Sequence, residues 1–474
     1  MLIFSKGEIN GSFMLYYHML IDTHVHLEME DFDKDREEVI NRAKDAGIDY
    51  ILTVGSDIKS CRRAVELSES NPVVYASVGI HPHEVKDIDN STYDEIRRLA
   101  RVQKVVAYGE IGLDYHYDLS PRDVQRRCFR EQIEIAKELK LPIIVHSREA
   151  RDDTLRILEE ADAKSAGGVM HCFSGDIDMA KKSIRMGFYI SFAGPVTFKK
   201  AERLKVIVKE IPIESILIET DSPYLSPEPF RGKRNEPSYL RYIAGAIAEL
   251  SGLTVEDVAR VTSYNAMKLL KIGRIEEEGE IAYKIRDSLY LNITTRCTNH
   301  CDFCIRYYSD FVKGHNLRLK KEPSFEDVIK SIGDPRSYKE VVFCGYGEPL
   351  IRLDLVKAVA AWIKERGGRV RLNTNGQGNL IHGRNILPEL KGLVDYISIS
   401  LNADRAEIYN EVCHPEFGEK TFEAMKDFII EAKKYIPEVG ITVITLPKVD
   451  IRACERMAKD WGVKFRVREL DIVG

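Results

Sequence analysis

The chain lacks any stretch approaching the roughly 20 consecutive apolar residues that a bilayer-spanning helix needs, so no membrane role is expected. It also lacks an excess of positive charge. The 70 Lys and Arg are set against 75 Asp and Glu, for a net charge of −5. Global attraction to polyanions is thereby excluded, and any nucleic-acid contact must rely on local basic patches. There is no disulfide framework. Nine cysteines is an odd number, and their placement suggests metal ligands and core positions, which fits a reducing cytoplasm. The first 18 residues hold Lys6, Glu8 and Asn10 and lack a basic start followed by a long apolar run, so they do not read as a signal peptide. A clean strand pattern opens at Met19, and residues 1–18 read as an N-terminal extension, an upstream lengthening of the reading frame. No internal repeat beyond β/α alternation and no low-complexity tract is evident.

What is present is a soluble-protein composition, 44% apolar and 31% charged, over 474 residues, enough for two or three domains. From Met19, short β-rich runs alternate with helical patterns, the mark of parallel β/α units. Strands are expected near 20–23, 50–54, 73–78, 105–108, 143–145, 168–170, 188–191 and 216–218. Eight such units over about 250 residues predict a closed (β/α)8 barrel at 19–273. Arg122–Lys140 carries Cys128, Phe129, Ile133, Ala136 and Leu139 at helical spacing, which makes Cys128 a core residue. The charged run from Gly273 to Gly279 lacks a core pattern, and 274–288 reads as a linker. Alternation resumes at 289–474, with strands near 289–294, 341–344, 370–373, 396–400, 440–445 and 464–467. Six strands are too few for a closed eight-stranded barrel. A partial (β/α)6 barrel with an open cleft is expected, so the whole chain is of the α/β class.

Side chains that do chemistry gather at the carboxyl ends of barrel strands. In the first domain those ends carry Asp22-Thr-His24-Val-His26, Glu110 and Asp114, His146, His171, and Glu219-Thr-Asp221. Imidazoles together with carboxylates suit Zn²⁺ or Mn²⁺, with Mg²⁺ an alternative. Two such ions about 3.5–4 Å apart can clamp both oxygens of an in-line phosphoryl displacement, provided one carboxylate bridges them. The second domain has Cys297-Thr-Asn-His-Cys301-Asp-Phe303-Cys304 immediately after its first strand. Three thiolates at this spacing can hold three irons of a 4Fe–4S cube and leave the fourth open to a substrate.

The first domain resembles the TatD family of metal-dependent deoxyribonucleases. The matching segments are Asp22-Thr-His24-Val-His26, Gly79-Ile-His81-Pro-His83, Gly109-Glu110-Ile-Gly-Leu-Asp-Tyr115, His146-Ser-Arg148-Glu-Ala, His171-Cys-Phe-Ser-Gly175, Glu219-Thr-Asp221-Ser-Pro-Tyr-Leu-Ser-Pro227 and Arg231-Gly-Lys-Arg-Asn-Glu-Pro237. The resemblance implies one ion on His24, His26, Glu110 and Asp221, and another on Glu110, His146 and His171. Glu110 would be the bridge, and Glu110 and Asp221 would act in catalysis. His81, His83, Arg148, Arg231 and Arg234 are candidate contacts for substrate phosphate, with Lys233 in the same basic turn. The family usually has Asp at Glu149 and a small apolar residue at Ser222, and neither change removes a ligand. Cys172, next to His171, is expected to point away from the metals as a packed neutral thiol.

The cysteine motif resembles the radical S-adenosylmethionine (SAM) superfamily. That implies a 4Fe–4S cluster on Cys297, Cys301 and Cys304 whose open iron chelates SAM, and one-electron cleavage of SAM to a 5′-deoxyadenosyl radical. By the same resemblance Gly345, Gly347 and Glu348 of the Gly345-Tyr-Gly-Glu-Pro349 turn, with Asn373, Asn375, Ser400 and Asn402, would contact SAM. Tyr346 stands where the superfamily has glycine. Cys344, Cys413 and Cys454 read as core residues. The combination implies a two-metal phosphodiesterase, acting on nucleic acid or nucleotide, fused to a radical SAM enzyme served by a low-potential donor such as ferredoxin or flavodoxin. Two alternatives stay open: a nuclease regulated by a non-catalytic Fe–S sensor, and a two-metal hydrolase of another ester or amide.

Overall fold

The computed structural model describes residues 20–470, so the N-terminal extension at 1–18 lies outside the described residues. The chain divides into two compact units, one ending at Ile275 and the other beginning at Glu276.

The first unit is the expected barrel. Its strands are β1 (Leu20–Val25), β2 (Ile48–Val54), β3 (Val74–Val78), β4 (Val105–Asp114), β5 (Ile143–Arg148), β6 (Gly168–Met170), β7 (Phe188–Phe192) and β8 (Ile216–Ile218). They follow one another in a single eight-stranded sheet, and every pairing is parallel. Closure comes at the carboxyl end, where Val25 bridges Ser222. There the Asp221 N–H donates to His24 O (2.9 Å) and the His26 N–H to Ser222 O (2.8 Å). The two ends of the sheet are thus joined through the residues proposed to hold metal.

Strand alternation explains the two layers of core. On β5, Ile143 and Val145 pack outward against the helices, while Ile144 points inward. Ile21, Leu52, Ala107, Ile144, Val169 and Leu217 form the interior layer, capped by Ala266, Met267 and Leu270 of the final helix, Val255–Leu270. That helix begins with a capping box between Thr254 and Asp257. The long helix Arg122–Leu139 buries Cys128 and Phe129, as its spacing predicts. Gly112 has a specific purpose. Its φ is +144°, and a Cβ there would lie 2.0 Å from the carbonyl oxygen of His146. Only glycine lets β4 and β5 approach closely enough to bring Glu110 and His146 together.

The second unit holds a seven-stranded sheet. Its edge hairpin is β9 (Ala282–Ile285) and β10 (Ser288–Leu291), a short ribbon β11 (Phe311–Val312) and β12 (His315–Asn316) stands apart, and β13 (Glu340–Phe343), β14 (Val370–Thr374), β15 (Tyr396–Ser400), β16 (Glu438–Ile444) and β17 (Lys464–Arg468) complete it. The spatial order is β17-β16-β15-β14-β13-β10-β9. Strands β10 and β13 to β17 pair in parallel, whereas β9 runs antiparallel to β10. The sheet is open, with exposed Lys464, Arg466 and Arg468 along the β17 edge, a charge pattern that discourages edge-to-edge pairing.

The strand β9 corrects the reading of 274–288 as a linker. Four residues amid charged neighbours give too short a pattern to stand out. They are held because Tyr283 is buried and stacks on Tyr290 at 5.4 Å.

Candidate functional sites

In the first unit the strand ends converge on one buried carboxylate. Glu110 Oε1 lies 2.6 Å from His146 Nδ1, 3.4 Å from His171 Nε2 and 3.6 Å from His81 Nε2, and Oε2 lies 3.4 Å from His24 Nε2. Asp221 Oδ1 is 3.6 Å from His26 Nε2 and 3.9 Å from His24 Nε2. The two imidazoles of β1 face each other with their Nε2 atoms 3.4 Å apart. All six residues proposed as metal ligands are therefore brought together around Glu110. His81 joins them more closely than a phosphate contact would require, because its ring lies 4.6 Å from that of His146.

The orientation of these rings is set from behind. His26 Nδ1 lies 2.8 Å from Val54 O and 3.3 Å from Glu28, so Nε2 is the atom offered to the site. Glu28 in turn accepts from Thr53 (2.7 Å). His171 Nδ1 lies 2.8 Å from Glu219 Oε1, and Glu219 also accepts from the Cys172 N–H (2.7 Å) and the Ser191 hydroxyl (2.6 Å). Asp114 Oδ2 faces both His146 Nε2 (3.1 Å) and His83 Nε2 (3.0 Å). Carboxylates behind imidazoles are the usual means of orienting metal-binding histidines. Glu28 was not singled out from sequence; it lies in the turn after β1, beyond the strand end that carries His24.

Electrostatics favour positive charge here. Burial would raise the Glu110 pKa, but His171, His81, His146 and His24 outweigh it and hold the carboxyl well below its usual range. Burial lowers His26, yet Glu28 and Asp221 carry it up to about 9, and Glu219 and Glu110 likewise carry His171 to about 10. His24, buried and beside His171, is pushed down to about 4, and its Nδ1 has no hydrogen-bond partner. Facing imidazole nitrogens and a buried anionic carboxylate form a donor set that divalent cations would satisfy. The site residues thus fit the implied ions.

The phosphate candidates separate. Arg231 and Lys233 are exposed, and Arg231 lies over the Phe198 ring at 4.4 Å. Arg148 is also exposed and lies over Tyr117 at 4.7 Å. Arg234 differs. It donates to both carboxylate oxygens of Asp35 (2.8 and 2.6 Å) and to Asp31 O (2.7 Å), and stacks on Phe32. Its guanidinium is committed to holding the turn, a correction to its reading as a phosphate ligand. Arg231→Ala should weaken nucleic-acid binding and flatten its salt dependence, because one fewer counterion is released. Arg234→Ala should leave the salt slope unchanged and cost about 1 kcal/mol of stability. Binding titrations at several salt concentrations and thermal melts separate the two.

Cys172 is a second correction. Its φ is +41°, and its Sγ lies within 4.8 Å of donor atoms of both His171 and Asp221. Simple strand alternation would turn it away, but the left-handed backbone turns it inward.

In the second unit, Cys297, Cys301 and Cys304 occupy the loop after β10 and are partly buried. The Asn299 N–H donates to Cys297 Sγ at 3.4 Å, and Asn375 Nδ2 approaches it at 3.9 Å. Segment 412–416 straps this loop: the His300 N–H donates to Cys413 O (2.9 Å), the Asp302 N–H to Val412 O (3.2 Å) and the Glu416 N–H to Thr298 O (2.9 Å). Burial raises the Cys297 thiol to about 12, while a hydrogen bond with Cys413 lowers Cys301. Cys413 is buried core, as expected, but it is also the neighbour of Cys301. Three thiols with N–H donors aimed at sulfur fit a cluster bound as thiolates.

The turn after β13 is built differently from its sequence reading. Glu348 is buried and accepts from Leu350 N (3.0 Å), Asn375 N (2.6 Å) and Thr374 Oγ1 (2.8 Å). One of these bonds caps the turn itself and the other two tie it to the end of β14, which makes Glu348 a positioning group. A Cβ at Gly345 would lie 2.2 Å from Asn292 Oδ1, and one at Gly347 2.4 Å from Arg296 O. Close backbone approach accounts for both glycines. Tyr346 is tolerated because its side chain packs with Tyr283 and Leu317 and donates to Ser309 O. Asn373 is the penultimate residue of β14 and Ser400 the last of β15, Asn402 follows with φ +56°, and Asn373 Oδ1 is buried without a partner. An orphaned acceptor at this edge fits a bound polar cofactor.

Burial lifts the Glu348 pKa to about 7. A carboxyl whose pKa is raised by folding stabilises the fold fully below its unfolded value, and that contribution fades as pH rises from about 4.5 toward 7. Without SAM, a carboxyl-carbon titration should place the Glu348 midpoint near 7, and the second unit should lose stability across that window.

Comparison with known proteins follows this geometry. Residues 21–271 match the family model of TatD-related DNases, and residues 291–460 match that of the radical SAM superfamily. The metal-dependent hydrolase YabD of Bacillus subtilis is 50% identical over 255 residues, 54% of this chain and all of YabD. A protein of Pantoea vagans described as a 3′-5′ ssDNA/RNA exonuclease, TatD, is 34% identical over 260 residues, again 54% of this chain and all of the relative. Among solved structures, the TatD homologue YjjV of Escherichia coli superposes with a TM-score of 0.52 at 29% identity, covering 54% of this chain and 98% of YjjV. Among the described residues no helix is long and apolar enough to cross a membrane.

Proposed function

Because the chain belongs to the family of TatD-related DNases, with a radical SAM domain fused to it, we propose that it hydrolyses phosphodiesters of a nucleic acid or nucleotide in the first barrel and cleaves SAM in the second. The observation that carries the first half is the convergence of His24, His146 and His171 on Glu110, with His24 and His26 beside Asp221.

His24, His26, Glu110 and Asp221 would hold one divalent ion and Glu110, His146 and His171 the other, with Zn²⁺, Mn²⁺ and Mg²⁺ the ions of this chemistry. Two such ions supply Lewis-acid stabilisation to both the attacking and the leaving oxygen of a phosphoryl displacement. The protein's share is orientation. Glu28, Glu219 and Asp114 fix the imidazoles, Arg231 and Lys233 offer exposed cations for the substrate backbone, and His81 and His83 line the same pocket. A single-stranded DNA or RNA substrate follows the description of the Pantoea vagans relative.

In the second unit Cys297, Cys301 and Cys304 would hold a 4Fe–4S cluster, with the edge formed by Gly345–Glu348, Asn373, Asn375, Ser400 and Asn402 meeting SAM. The bound cluster supplies one electron for reductive cleavage of SAM, drawn from a donor such as ferredoxin or flavodoxin. Asn299 and Asn375 donate toward the Cys297 sulfur, and Glu348 holds the turn. A reduced cluster and free cysteines support a cytoplasmic location. The test is hydrolysis of end-labelled single strands with each divalent ion in turn. Shortening from the 3′ end is expected, and intact strands under all three ions would refute the nuclease reading.

A further inference from the structure

We propose that Cys172 is an additional ligand of the hydrolytic site, engaged by thiophilic ions such as Zn²⁺ and not by Mg²⁺. The inference rests on the two-metal reading of the first barrel. It adds a residue that selects among metals.

The thiol is not an isolated cysteine. A nitrogen of His171, Sγ of Cys172 and an oxygen of Asp221 all lie within 4.8 Å of one another, and donors sharing one tetrahedral ion stand about 3.3–3.8 Å apart. His171 belongs to one proposed ion and Asp221 to the other, so Cys172 sits between the two ligand groups.

The backbone holds it there. Cys172 has φ +41° and Asp221 φ +54°, and both adopt the left-handed region that non-glycine residues seldom occupy. Two such residues, following different strands, turn their side chains into one pocket. Glu219 anchors the arrangement by accepting the Cys172 N–H at 2.7 Å while lying 2.8 Å from His171 Nδ1.

A second observation is a buried, unpartnered ring nitrogen beside His171. The ring of His24 stacks on His171 at 3.6 Å, its side chain is 1% exposed, and its Nδ1 has no hydrogen-bond partner. Imidazole and carboxylate alone accept hard and borderline ions alike, whereas a thiolate favours the softer ones. Engagement forms one sulfur–metal bond and releases the thiol proton to solvent.

The test uses the full-length chain with Cys297, Cys301 and Cys304 changed to Ser, so that cluster sulfur does not contribute. Loaded with Co²⁺, this protein is expected to show a thiolate-to-cobalt charge-transfer band. Adding Cys172→Ser or Cys172→Ala should abolish the band while two Co²⁺ ions remain bound, which also shows that the site still folds. Affinity for Cd²⁺ should fall roughly 10–100-fold, with no comparable loss for Mg²⁺. Absence of the band in the parent, its survival in both Cys172 variants, or equal losses for Cd²⁺ and Mg²⁺ would overturn the inference alone. A parent that binds no Co²⁺ would overturn the two-metal reading with it.

Discussion

Glu110→Ala is expected to abolish phosphodiester hydrolysis and to release divalent metal from the first barrel. Among the described residues, this carboxylate lies within 3.6 Å of His24, His81, His146 and His171 together. Removing it leaves four imidazoles converging on an empty centre, with no group able to bridge two ions. The loss should exceed the roughly 10²–10³-fold that follows removal of one transition-state donor. Glu110→Gln distinguishes charge from shape: it keeps the volume but cannot bridge two cations, and its activity should fall to a similar level. Metal content per chain and initial rates decide the matter. A Glu110→Ala protein with two bound ions and near-normal turnover would end the bridging assignment.

Changing any one of Cys297, Cys301 or Cys304 to Ser is expected to eliminate the 4Fe–4S cluster and, with it, all production of 5′-deoxyadenosine. In the proposed assignment three thiolates would serve four irons, so each would be essential. Cys344→Ser and Cys454→Ser should retain the cluster. Cys413→Ser is the informative case, because Cys413 hydrogen-bonds Cys301 and its carbonyl holds the His300 N–H. Cluster retention is expected there as well, with the Cys301 environment altered. Iron and sulfide content and low-temperature electron paramagnetic resonance of the reduced protein give the answer. Loss of the cluster in the Cys413 variant would make it a fourth ligand and favour a closed, sensing cluster.

The barrel was legible because its information is local. Strands of the first unit include short apolar runs bounded by turns, and inward and outward residues alternate along stretches such as Ile143, Ile144 and Val145. The ligand groups were legible for the same reason, since strand ends are the only places where Asp22-Thr-His24-Val-His26 and Glu219-Thr-Asp221 can converge. What escaped was non-local or conformational. The partner of Arg234 is Asp35, 199 residues away in sequence, and no spacing rule links them. Cys172 follows alternation only if its backbone is extended, and the sign of φ at a non-glycine residue is not written in the residue type. The strand Ala282–Ile285 depends on Tyr283 finding Tyr290 and His315, contacts made only after the hairpin folds. Glu348 reads from sequence as a SAM contact, but its inward carboxylate depends on the end of β14.

The central claim is that one chain carries both a hydrolytic and a SAM-cleaving centre. One anaerobic reaction tests it most directly: reconstituted, chemically reduced full-length protein with SAM, a divalent ion and a single-stranded oligonucleotide, assayed for 5′-deoxyadenosine and for strand cleavage. Both products are expected, with 5′-deoxyadenosine formed slowly without the oligonucleotide and faster with it. Strand cleavage accompanied by a cluster whose spectrum ignores SAM, and by no 5′-deoxyadenosine, would contradict the account and leave a nuclease joined to an iron–sulfur sensor.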